Sequence, residues 1–399
     1  MGTCASCGGH TSEVMDFGTV ALAGAFLKPQ EFNGERKYPL SLEFCDECSL
    51  LQVPQRIPAA TLFEDYFYFT SATGTMRKHF AAYADEIVQK FDPHTVVEIG
   101  CNDGALLKPL ADLGVKCVIG VDPARNVTRT IGDERVQVIS DYFPSKLLEG
   151  VKADVVVANN VFAHIEDLNG VTAAVAELME DDGVFIFEVN RLDSMIADLQ
   201  YDWVYHEHLF YFSLIALEKL LERHGLQVYD LKRIGTHAGS IRYYACKRGM
   251  TEESAQVQDQ RDKEYWHGLA VKERFLTFAE EAARHRDEMR AYVDTAKARG
   301  QRIAGYGACG RSNTMLQFCG LTSEDIDFIV DDAPAKQGFY TPGTHIPIRS
   351  NHHLLSQPDK LIVFAWSFLD EIYGRCGNYE GDIIIPLPQI SVSSMRVAA

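Results

Sequence analysis

The sequence predicts an α/β protein with a small cysteine-rich module followed by two domains that each contain a parallel β-sheet. Residues 95–123 read as a strand, a glycine-rich turn, a helix and a second strand, and residues 303–316 repeat the strand, turn and helix. Such units form parallel sheets, because parallel neighbours need a crossover connection. Paired Cys-x-x-Cys couples precede both units. A chain of 399 residues is too long for one compact core, which also favours several domains.

The composition is that of an ordinary globular protein with an acidic surface. The chain is 46% hydrophobic and 24% charged, and its formal net charge is −18. An acidic surface repels nucleic acid and anionic membranes, so neither is an expected partner. No apolar run approaches the roughly 20 residues that span a bilayer, and the N-terminus lacks the layout of a signal peptide. We expect a cytoplasmic protein that works as a monomer.

The cysteine couples are Cys4-Ala-Ser-Cys7 and Cys45-Asp-Glu-Cys48. Two chelating couples suit tetrahedral zinc. A redox Cys-x-x-Cys is the alternative, but it predicts a single couple beside a βαβ unit. Four cysteines would fill the zinc coordination shell and leave no position for water, so the metal should be structural. The chain between the couples, residues 8–44, should form strands or a loop of its own.

The turn of the first unit is Gly100-Cys-Asn-Asp-Gly104. Glycines let the backbone approach a ligand, and an acidic residue at the end of the second strand, here Asp122, can bind ribose hydroxyls. The turn lacks the G-x-G-x-x-G of dinucleotide-binding proteins. Its pattern E-x-G-x-x-x-G, from Glu98, resembles motif I of the S-adenosylmethionine (SAM)-dependent methyltransferases. The predicted cofactor-binding residues are Glu98, Gly100, Asn102, Gly104, Asp122, Asp141, Tyr142, Phe143 and Asn159.

Further polar residues follow the strands of this domain. Asp141, Asn159 and Glu188 each come at or just past the end of a predicted strand. In an open α/β sheet, ligands lie outside the carboxyl ends of the strands, so these residues should converge with Asp122. His164 follows one turn later and is the sharper candidate for chemistry. The alternative for His164 is capping or packing at the start of a helix.

The most unusual stretch is Tyr205-His-Glu-His208, which lies between aromatic flanks. A buried core would not select four polar groups in a row, because burying them costs free energy unless each is paired. A metal site is one alternative, but His-x-His lacks the helical spacing of H-E-x-x-H zinc sites. A solvated loop is another, although the aromatic flanks should bury it. Acid–base catalysis fits better, because histidine titrates near neutrality and Glu207 can orient it.

Within residues 59–80, an aromatic segment from Phe63 to Phe69 connects the cysteine module to the first parallel-sheet domain. Tyr66 and Tyr68 have the same parity, so in an extended segment their phenols would share one face and could offer hydroxyls to a pocket. The alternative is a linker helix or strand that packs onto the next domain. We favour that alternative for Phe67 and Phe69.

The second glycine turn follows a charged, alanine-rich stretch, 249–298, that reads as one or two connecting helices. Its sequence, Gly305-x-Gly307-x-x-Gly310, matches the dinucleotide-binding pattern. With Arg311 at a helix N-terminus, the turn could equally hold the diphosphate of a substrate, or it could be structural. The predicted substrate-binding residues are His237, Arg242, Tyr306, Arg311 and Lys336.

Together, the motifs resemble a known enzyme family along the whole chain. The cysteine couples, the aromatic segment, EIGCNDG, NNVFAHI, YHEH, THAGSIR and GYGACGRSNT occur in the order found in the sugar C-methyltransferases. The resemblance implies SAM-dependent methylation at C3 of a nucleotide-linked 4-keto-deoxysugar, with thymidine diphosphate (dTDP) as the usual nucleotide. It implies that His208 is the base. The predicted catalytic residues are His208, Tyr205, Glu207, His164, Tyr66 and Tyr68.

On this interpretation the chain has four parts. They are a zinc-binding module with the aromatic linker (1–72), a SAM-dependent methyltransferase domain (73–248), a helical connector (249–298) and a C-terminal Rossmann-like domain (299–399). Three alternatives stay open: an O- or N-methyltransferase acting on another small molecule, an NAD-dependent nucleotide-sugar oxidoreductase that uses the second glycine turn, and a non-catalytic protein that binds zinc and a nucleotide.

Overall fold

The computed structural model describes residues 2–63, 69–235 and 239–394, which form three β-sheets with helices around them. The strands are β1 Gly2–Thr3, β2 His10–Ala21, β3 Lys37–Cys45, β4 Leu51–Gln52, β5 Thr95–Ile99, β6 Cys117–Val121, β7 Val136–Ile139, β8 Ala153–Asn159, β9 Met179–Asn190, β10 Phe210–Tyr211, β11 Leu226–Ile234, β12 Ser240–Lys247, β13 Ile303–Tyr306, β14 Phe328–Val330, β15 Ile348–Arg349, β16 Lys360–Val363, β17 Asp382–Ile385 and β18 Ser391–Ser394.

The α-helices are α1 Ala59–Phe63, α2 Gly74–Phe91, α3 Leu107–Asp112, α4 Arg125–Thr128, α5 Leu168–Leu178, α6 Leu192–Ala197, α7 Leu214–Arg223, α8 Ala255–Trp266, α9 Lys272–Ala298, α10 Gly310–Phe318 and α11 Leu369–Arg375. None of the helices in the described ranges is long and apolar enough to cross a membrane.

The N-terminal sheet is antiparallel, with strand order β1-β2-β3-β4-β10. Its long strands β2 and β3 lie between the cysteine couples, as predicted for residues 8–44. The edge strand β10 comes from much later in the chain, and Phe210 pairs with Gln52 of β4. This pairing attaches the chain just after the Tyr205–His208 run to the cysteine module.

The central sheet has seven strands in the order β11-β12-β9-β8-β5-β6-β7, and only β12 runs against the others. Strand β5 is β-branched and buried, with Val96 and Val97 0% exposed, which is typical of a strand covered on both faces. Helix α2 begins where Thr73 Oγ1 accepts a hydrogen bond from the Met76 amide (3.3 Å). The parallel α/β sheet predicted from the first glycine turn is confirmed.

The C-terminal sheet has six strands in the order β15-β14-β13-β16-β17-β18, parallel except for β18. The stretch predicted as a helical connector contains α8 and α9. Helix α9 packs against the N-terminal sheet, where the rings of Phe44 and Phe275 are 4.9 Å apart. Phe17 of β2 also contacts Phe318 of α10, at 5.0 Å. The cysteine module therefore shares a hydrophobic core with the C-terminal domain.

Candidate active site and zinc site

The four predicted zinc ligands lie together, contributed by the β1–β2 turn and the end of β3. Cys4 Sγ is 3.4 Å from Cys48 Sγ, Cys7 Sγ is 3.5 Å from Cys45 Sγ, and all four sulfur atoms lie within 4.8 Å of one another. Tetrahedral zinc with bonds of about 2.3 Å requires sulfur atoms roughly 3.8 Å apart, so the cluster fits this metal. All four sulfur atoms would be ligands, which is typical of a structural site.

The first glycine turn connects β5 to α3 at the carboxyl edge of the central sheet. Gly100 has a φ of +70°, and a Cβ there would lie 2.6 Å from Val161 Cγ2, so this position requires glycine. Asp122 accepts hydrogen bonds from the backbone N–H groups of Asn102 (2.9 Å) and Ala124 (2.8 Å). Burial raises the pKa of the Asp122 carboxyl, although both amides favour its charged form. Asp122 therefore fixes the shape of the turn.

Beside this turn, Glu98 and Asn159 stand at the ends of the neighbouring strands β5 and β8. Asn159 Nδ2 donates to Glu98 Oε1 (3.2 Å). The remaining oxygens, Glu98 Oε2 and Asn159 Oδ1, are buried and have no hydrogen-bond partner in the described part of the chain. Burial also raises the pKa of Glu98 well above its usual value. Orphaned acceptors fit a ligand that brings N–H donors and positive charge, and SAM carries both.

Asp141 follows β7, the strand next to β6. Its Oδ1 accepts from the Tyr142 amide (2.8 Å) and its Oδ2 accepts from Ser145 Oγ (2.9 Å). The Tyr142 side chain is 46% exposed, while Phe143 is partly buried against the core. The structure therefore places these predicted cofactor residues at the same sheet edge as Asp122. Their contact with a cofactor stays a prediction.

The chain after the aromatic segment folds onto the first glycine turn. The Thr70 amide donates to Asn102 Oδ1 (2.9 Å), and Ser71 donates to Asp103 Oδ2 from both its amide (3.0 Å) and its hydroxyl (2.6 Å). These bonds hold Thr70 and Ser71 beside the first glycine turn, at the carboxyl edge of the central sheet. The predicted site residues Tyr66, Tyr68 and His237 lie outside the described residues.

The imidazole of His208 has a defined orientation. His208 Nδ1 donates to the backbone carbonyl of Trp203 (2.8 Å), which also accepts a hydrogen bond from Tyr211 OH (3.1 Å). Because a carbonyl can only accept, this bond places the proton of the neutral ring on Nδ1 and makes Nε2 the basic nitrogen. An oriented imidazole with a basic Nε2 is the arrangement that a general base needs.

Several aromatic rings pack around the His208 imidazole. The Tyr205 ring centroid lies 4.0 Å away, that of His164 lies 4.9 Å away in an edge-on arrangement, and that of Trp203 lies 5.2 Å away and is stacked. Burial lowers the pKa of His164 to about 4, so this ring is neutral at pH 7. The fold thus brings His164 and the Tyr205–His208 run together.

Glu207 and His206 lie against the cysteine module. His206 Nε2 donates to the carbonyl of Pro39 on β3 (2.9 Å). A Cβ at Gly24 would lie 3.8 Å from Glu207 Oε1, which places Glu207 beside the turn that follows β2. Burial raises the pKa of Glu207 to about 7. The N-terminal sheet therefore forms one wall of the candidate active site.

Arg242, predicted to bind substrate, is 2% exposed and faces protein carboxylates. It donates to Glu188 Oε1 from Nε (2.8 Å) and Nη2 (2.6 Å), and to Glu86 Oε2 from Nη1 (3.0 Å). Its guanidinium also lies 3.2 Å from the centre of the Tyr83 ring. Arg242 is therefore an ion-pair partner of Glu188, near the end of β9, and of Glu86. No contact in the described residues joins it to the His208 ring.

The other predicted substrate residues lie at the carboxyl edge of the C-terminal sheet. Tyr306 OH donates to the Asp332 carboxylate at 3.0 and 3.1 Å. Lys336 Nζ donates to the Ala308 carbonyl (2.8 Å) and lies 3.2 Å from Asp331 Oδ2. The guanidinium of the third residue, Arg311, faces Asp202, as described below. Each of the three therefore bonds to protein groups.

Two features of the site were absent from the sequence prediction. His79 Nε2 lies 3.3 Å from Glu188 Oε2, at the carboxyl edge of the central sheet. His79 stands within the buried stripe of α2, beside Phe80 and Tyr83, so helical periodicity was the signal that could have found it. The second feature is the Trp203 carbonyl, which no side-chain pattern could reveal, because every residue has a carbonyl.

Three family descriptions match consecutive parts of the chain. They are "Putative zinc binding domain" over residues 4–63, "Methyltransferase domain" over 73–231 and "C-methyltransferase C-terminal domain" over 235–388. C-methyltransferase NovU of Streptomyces niveus is 33% identical to this chain, over 98% of this chain and 96% of NovU. The chain therefore belongs to the C-methyltransferase family that the motifs resemble, and it is a SAM-dependent C-methyltransferase with a structural zinc site.

More distant relatives match less than half of the chain. A ubiquinone biosynthesis O-methyltransferase of Bartonella quintana is 27% identical over 35% of this chain and 63% of that protein. Among solved structures, the PH0226 protein from Pyrococcus horikoshii OT3 is 14% identical, covers 49% of this chain and 100% of its own, and has a TM-score of 0.38. These likenesses add nothing to the family assignment.

Proposed function

We propose that the protein methylates C3 of a dTDP-linked 4-keto-deoxysugar and that His208 is the base that removes the C3 proton. The observation that supports this most is the hydrogen bond from His208 Nδ1 to the Trp203 carbonyl, which leaves Nε2 as the basic nitrogen. The resemblance of the motifs to sugar C-methyltransferases supports the substrate class. An imidazole whose Nε2 can accept a proton suits the removal of a proton next to a ketone.

The chemistry assigns roles to His208 and to two of the rings around it. His208 Nε2 takes the C3 proton, and the electron pair of the C3–H bond enters the enolate of the 4-keto group. His164 is neutral, so its N–H, like the phenol of Tyr205, can donate a hydrogen bond to the enolate oxygen. Bound SAM supplies an electrophilic methyl group: the C3–CH3 bond forms as the S–CH3 bond breaks, and the ketone is restored.

The chain holds SAM, in this proposal, at the carboxyl edge of the central sheet. Glu98 and Asn159 supply acceptors that lack a partner in the described chain, and Asp122 holds the turn beside them. The positive charge of SAM offsets the cost of keeping Glu98 buried and charged. The catalytic, cofactor-binding and substrate-binding roles of all these residues, and the monomeric state, stay predictions.

Proton exchange at C3 tests the base directly. The protein would be incubated with S-adenosylhomocysteine and dTDP-linked 4-keto-deoxysugars in D2O, and deuterium at C3 followed by NMR. We expect exchange with wild-type protein. We expect His208→Gln to slow it on the order of 10²–10⁴-fold, because a positioned base is lost.

Controls separate loss of the base from loss of the fold. His208→Gln should bind S-adenosylhomocysteine as wild type does, and His267→Gln, at an exposed histidine of the connector, should exchange normally. Normal exchange by His208→Gln would show that another group is the base. Methylation of an acceptor that lacks a ketone would instead support the O- or N-methyltransferase alternative.

A further inference from the structure

The sequence of the second glycine turn matches the dinucleotide-binding pattern, but protein groups contact the backbone positions that would hold a diphosphate. The Ala308 amide donates to Asp331 Oδ2 (2.9 Å), and the Cys309 amide donates to Ser312 Oγ (2.9 Å). A Cβ at Gly310 would lie 2.8 Å from Tyr205 Cζ, so the ring of Tyr205 covers the N-terminus of α10. A bound phosphate needs these amides and this space.

Arg311, the next residue, uses two of its three guanidinium nitrogens for a protein carboxylate, while its Nη1 is buried and has no hydrogen-bond partner in the described part of the chain. It donates to Asp202 from Nε (2.8 Å) and Nη2 (3.0 Å), in a pair whose side chains are 7% and 1% exposed. Its guanidinium lies 4.9 Å from the centre of the Trp203 ring and 4.3 Å from that of Trp366. Trp366 Nε1 donates to the same Asp202 carboxylate (3.2 Å). This two-pronged geometry fixes both partners.

These contacts lead directly to His208. Asp202 and Trp203 end the 3-10 helix Tyr201–Trp203, and the Trp203 carbonyl accepts the His208 Nδ1 proton. Thr314 Oγ1 of α10 donates to the carbonyl of Val204, one residue later (2.7 Å). The N-terminus of α10 therefore contacts the backbone that orients the imidazole. It also contacts the Trp203 and Tyr205 rings, which pack against that imidazole.

We infer that Arg311 is a positioning residue for His208, and that the second glycine turn clamps the base-bearing loop and binds no nucleotide. The inference rests on the proposed function in that it takes His208 as the base. It differs from the prediction that Arg311 binds substrate. Gly310 allows Tyr205 to approach the helix, and the Arg311 fork sets the position of Asp202 and, through it, the Trp203 carbonyl.

The test removes the fork and keeps the site neutral. Arg311→Ala alone would leave Asp202 buried and unpaired and could unfold the protein, so the working variant is Arg311→Met with Asp202→Asn. The asparagine oxygen still accepts from Trp366. We expect the rate of methyl transfer to fall on the order of 10- to 100-fold, with the KM of the sugar nucleotide and the affinity for S-adenosylhomocysteine unchanged.

A control addresses a merely structural effect. Arg290→Met with Asp325→Asn removes another two-bond ion pair, between α9 and the C-terminal domain. In this pair Arg290 donates to Asp325 at 2.7 and 2.8 Å. We expect this variant to keep the wild-type rate. Arg311→Lys should lose part of the rate, because lysine cannot form the fork. A loss of rate equal to that of the main variant in Arg290→Met with Asp325→Asn would overturn the inference.

NMR of protein with 15N-labelled histidine gives a readout that is independent of catalysis. The His208 signals are assigned as those that disappear in His208→Gln. We expect the Nδ1–H tautomer of His208 in the wild type and a mixture of tautomers in Arg311→Met with Asp202→Asn. If the His208 tautomer is unchanged in this variant, Arg311 does not position the imidazole. This result does not depend on whether His208 is the base. A raised KM with an unchanged rate constant, together with weaker inhibition by dTDP, would show instead that Arg311 binds the substrate diphosphate.

Discussion

In the methyltransferase domain, Asp122 accepts hydrogen bonds from the amides of Asn102 and Ala124, and in the C-terminal domain Asp331 accepts them from Ala308 and Ala333. In each case the acidic residue ends the second strand of the unit and bonds to its own glycine turn. The distances are 2.8–2.9 Å at the first turn and 2.9 Å at the second. The two turns have nearly the same local structure.

The two turns differ in what covers them. The first turn opens beside Glu98 and Asn159, whose outer oxygens lack partners in the described chain. The second turn lies under the Tyr205 ring, and Arg311 beside it is paired with Asp202. A glycine turn with an acidic strand end is therefore a local solution to connecting a strand to a helix. Whether it binds a ligand depends on residues that are distant in sequence.

The largest expected effect concerns the cysteine module, whose sheet forms one wall of the candidate active site. Zinc removal by a chelator, or Cys45→Ser, should unfold the N-terminal sheet, because structural zinc contributes on the order of 10 kcal/mol to folding. The sheet pairs with β10 and bonds His206, so methyl transfer should also be lost. Thermal unfolding and metal analysis would measure this. Unchanged stability in a protein without zinc would contradict it.

A matched pair of glycine substitutions separates the two turns. Gly104 has a φ of +74° and a Cβ there would lie 3.3 Å from Ile131, so Gly104→Ala strains the first turn. Strain of about 1–3 kcal/mol should weaken S-adenosylhomocysteine binding on the order of 10- to 100-fold. Gly310→Ala should displace Tyr205, slowing methyl transfer and leaving that affinity unchanged. Calorimetry would measure the affinity of both variants for S-adenosylhomocysteine, and kinetics would measure their methyl-transfer rates. Weaker binding of S-adenosylhomocysteine by Gly310→Ala would contradict the different roles of the two turns.

The pH dependence of stability tests how completely Glu207 is buried beside the cysteine module, between the two turns' domains. Burial raises the pKa of Glu207 to about 7, so the folded protein holds a proton there that the unfolded chain releases near pH 4.5. Stability should therefore fall as the pH rises from about 4.5 to 7. Glu207→Gln should remove this loss and be about 2 kcal/mol more stable than wild type at pH 8, with little difference at pH 4.

Urea unfolding at the two pH values would measure the effect. Glu252→Gln, at an exposed glutamate, is the matched control and should follow wild type at both. An equal difference for Glu207→Gln at pH 4 and pH 8 would mean that water reaches Glu207 and that the cysteine module does not bury this side chain.

The smallest expected effect is at Lys336. If the second turn is structural, Lys336→Met removes two hydrogen bonds to the turn and costs about 1 kcal/mol of stability. The KM of the sugar nucleotide should not change, because Lys336 Nζ already bonds to Ala308 and Asp331. Urea unfolding and steady-state kinetics would check both values. A higher KM with unchanged stability would assign Lys336 to the substrate, as the sequence predicted.

Much of the architecture could be predicted because it depends on local patterns. The buried run at β5 and the glycine turn after it indicated a parallel sheet, and the spacing of Cys4, Cys7, Cys45 and Cys48 indicated one metal site. The Tyr205–His208 run could be singled out because four polar groups between aromatic residues need a reason to be buried, and the family resemblance then pointed to His208 within it. The surroundings of Arg242 and Arg311 could not be predicted, because an arginine in a sequence carries no sign of whether its partner is a ligand or a protein carboxylate.

The sequence by itself determined the three-part α/β organisation, the zinc ligands, the glycine turn after β5 and the family, since periodicity, spacing and motif order are properties of the chain. Only the tertiary structure decided which glycine turn is open and which nitrogen of His208 is basic. Both depend on contacts between residues far apart in the chain: Tyr205 covers Gly310, and Asp202 pairs with Arg311. Such contacts form only when the sheets pack against one another. The two turns are similar in local structure and differ in the residues that this packing brings next to them.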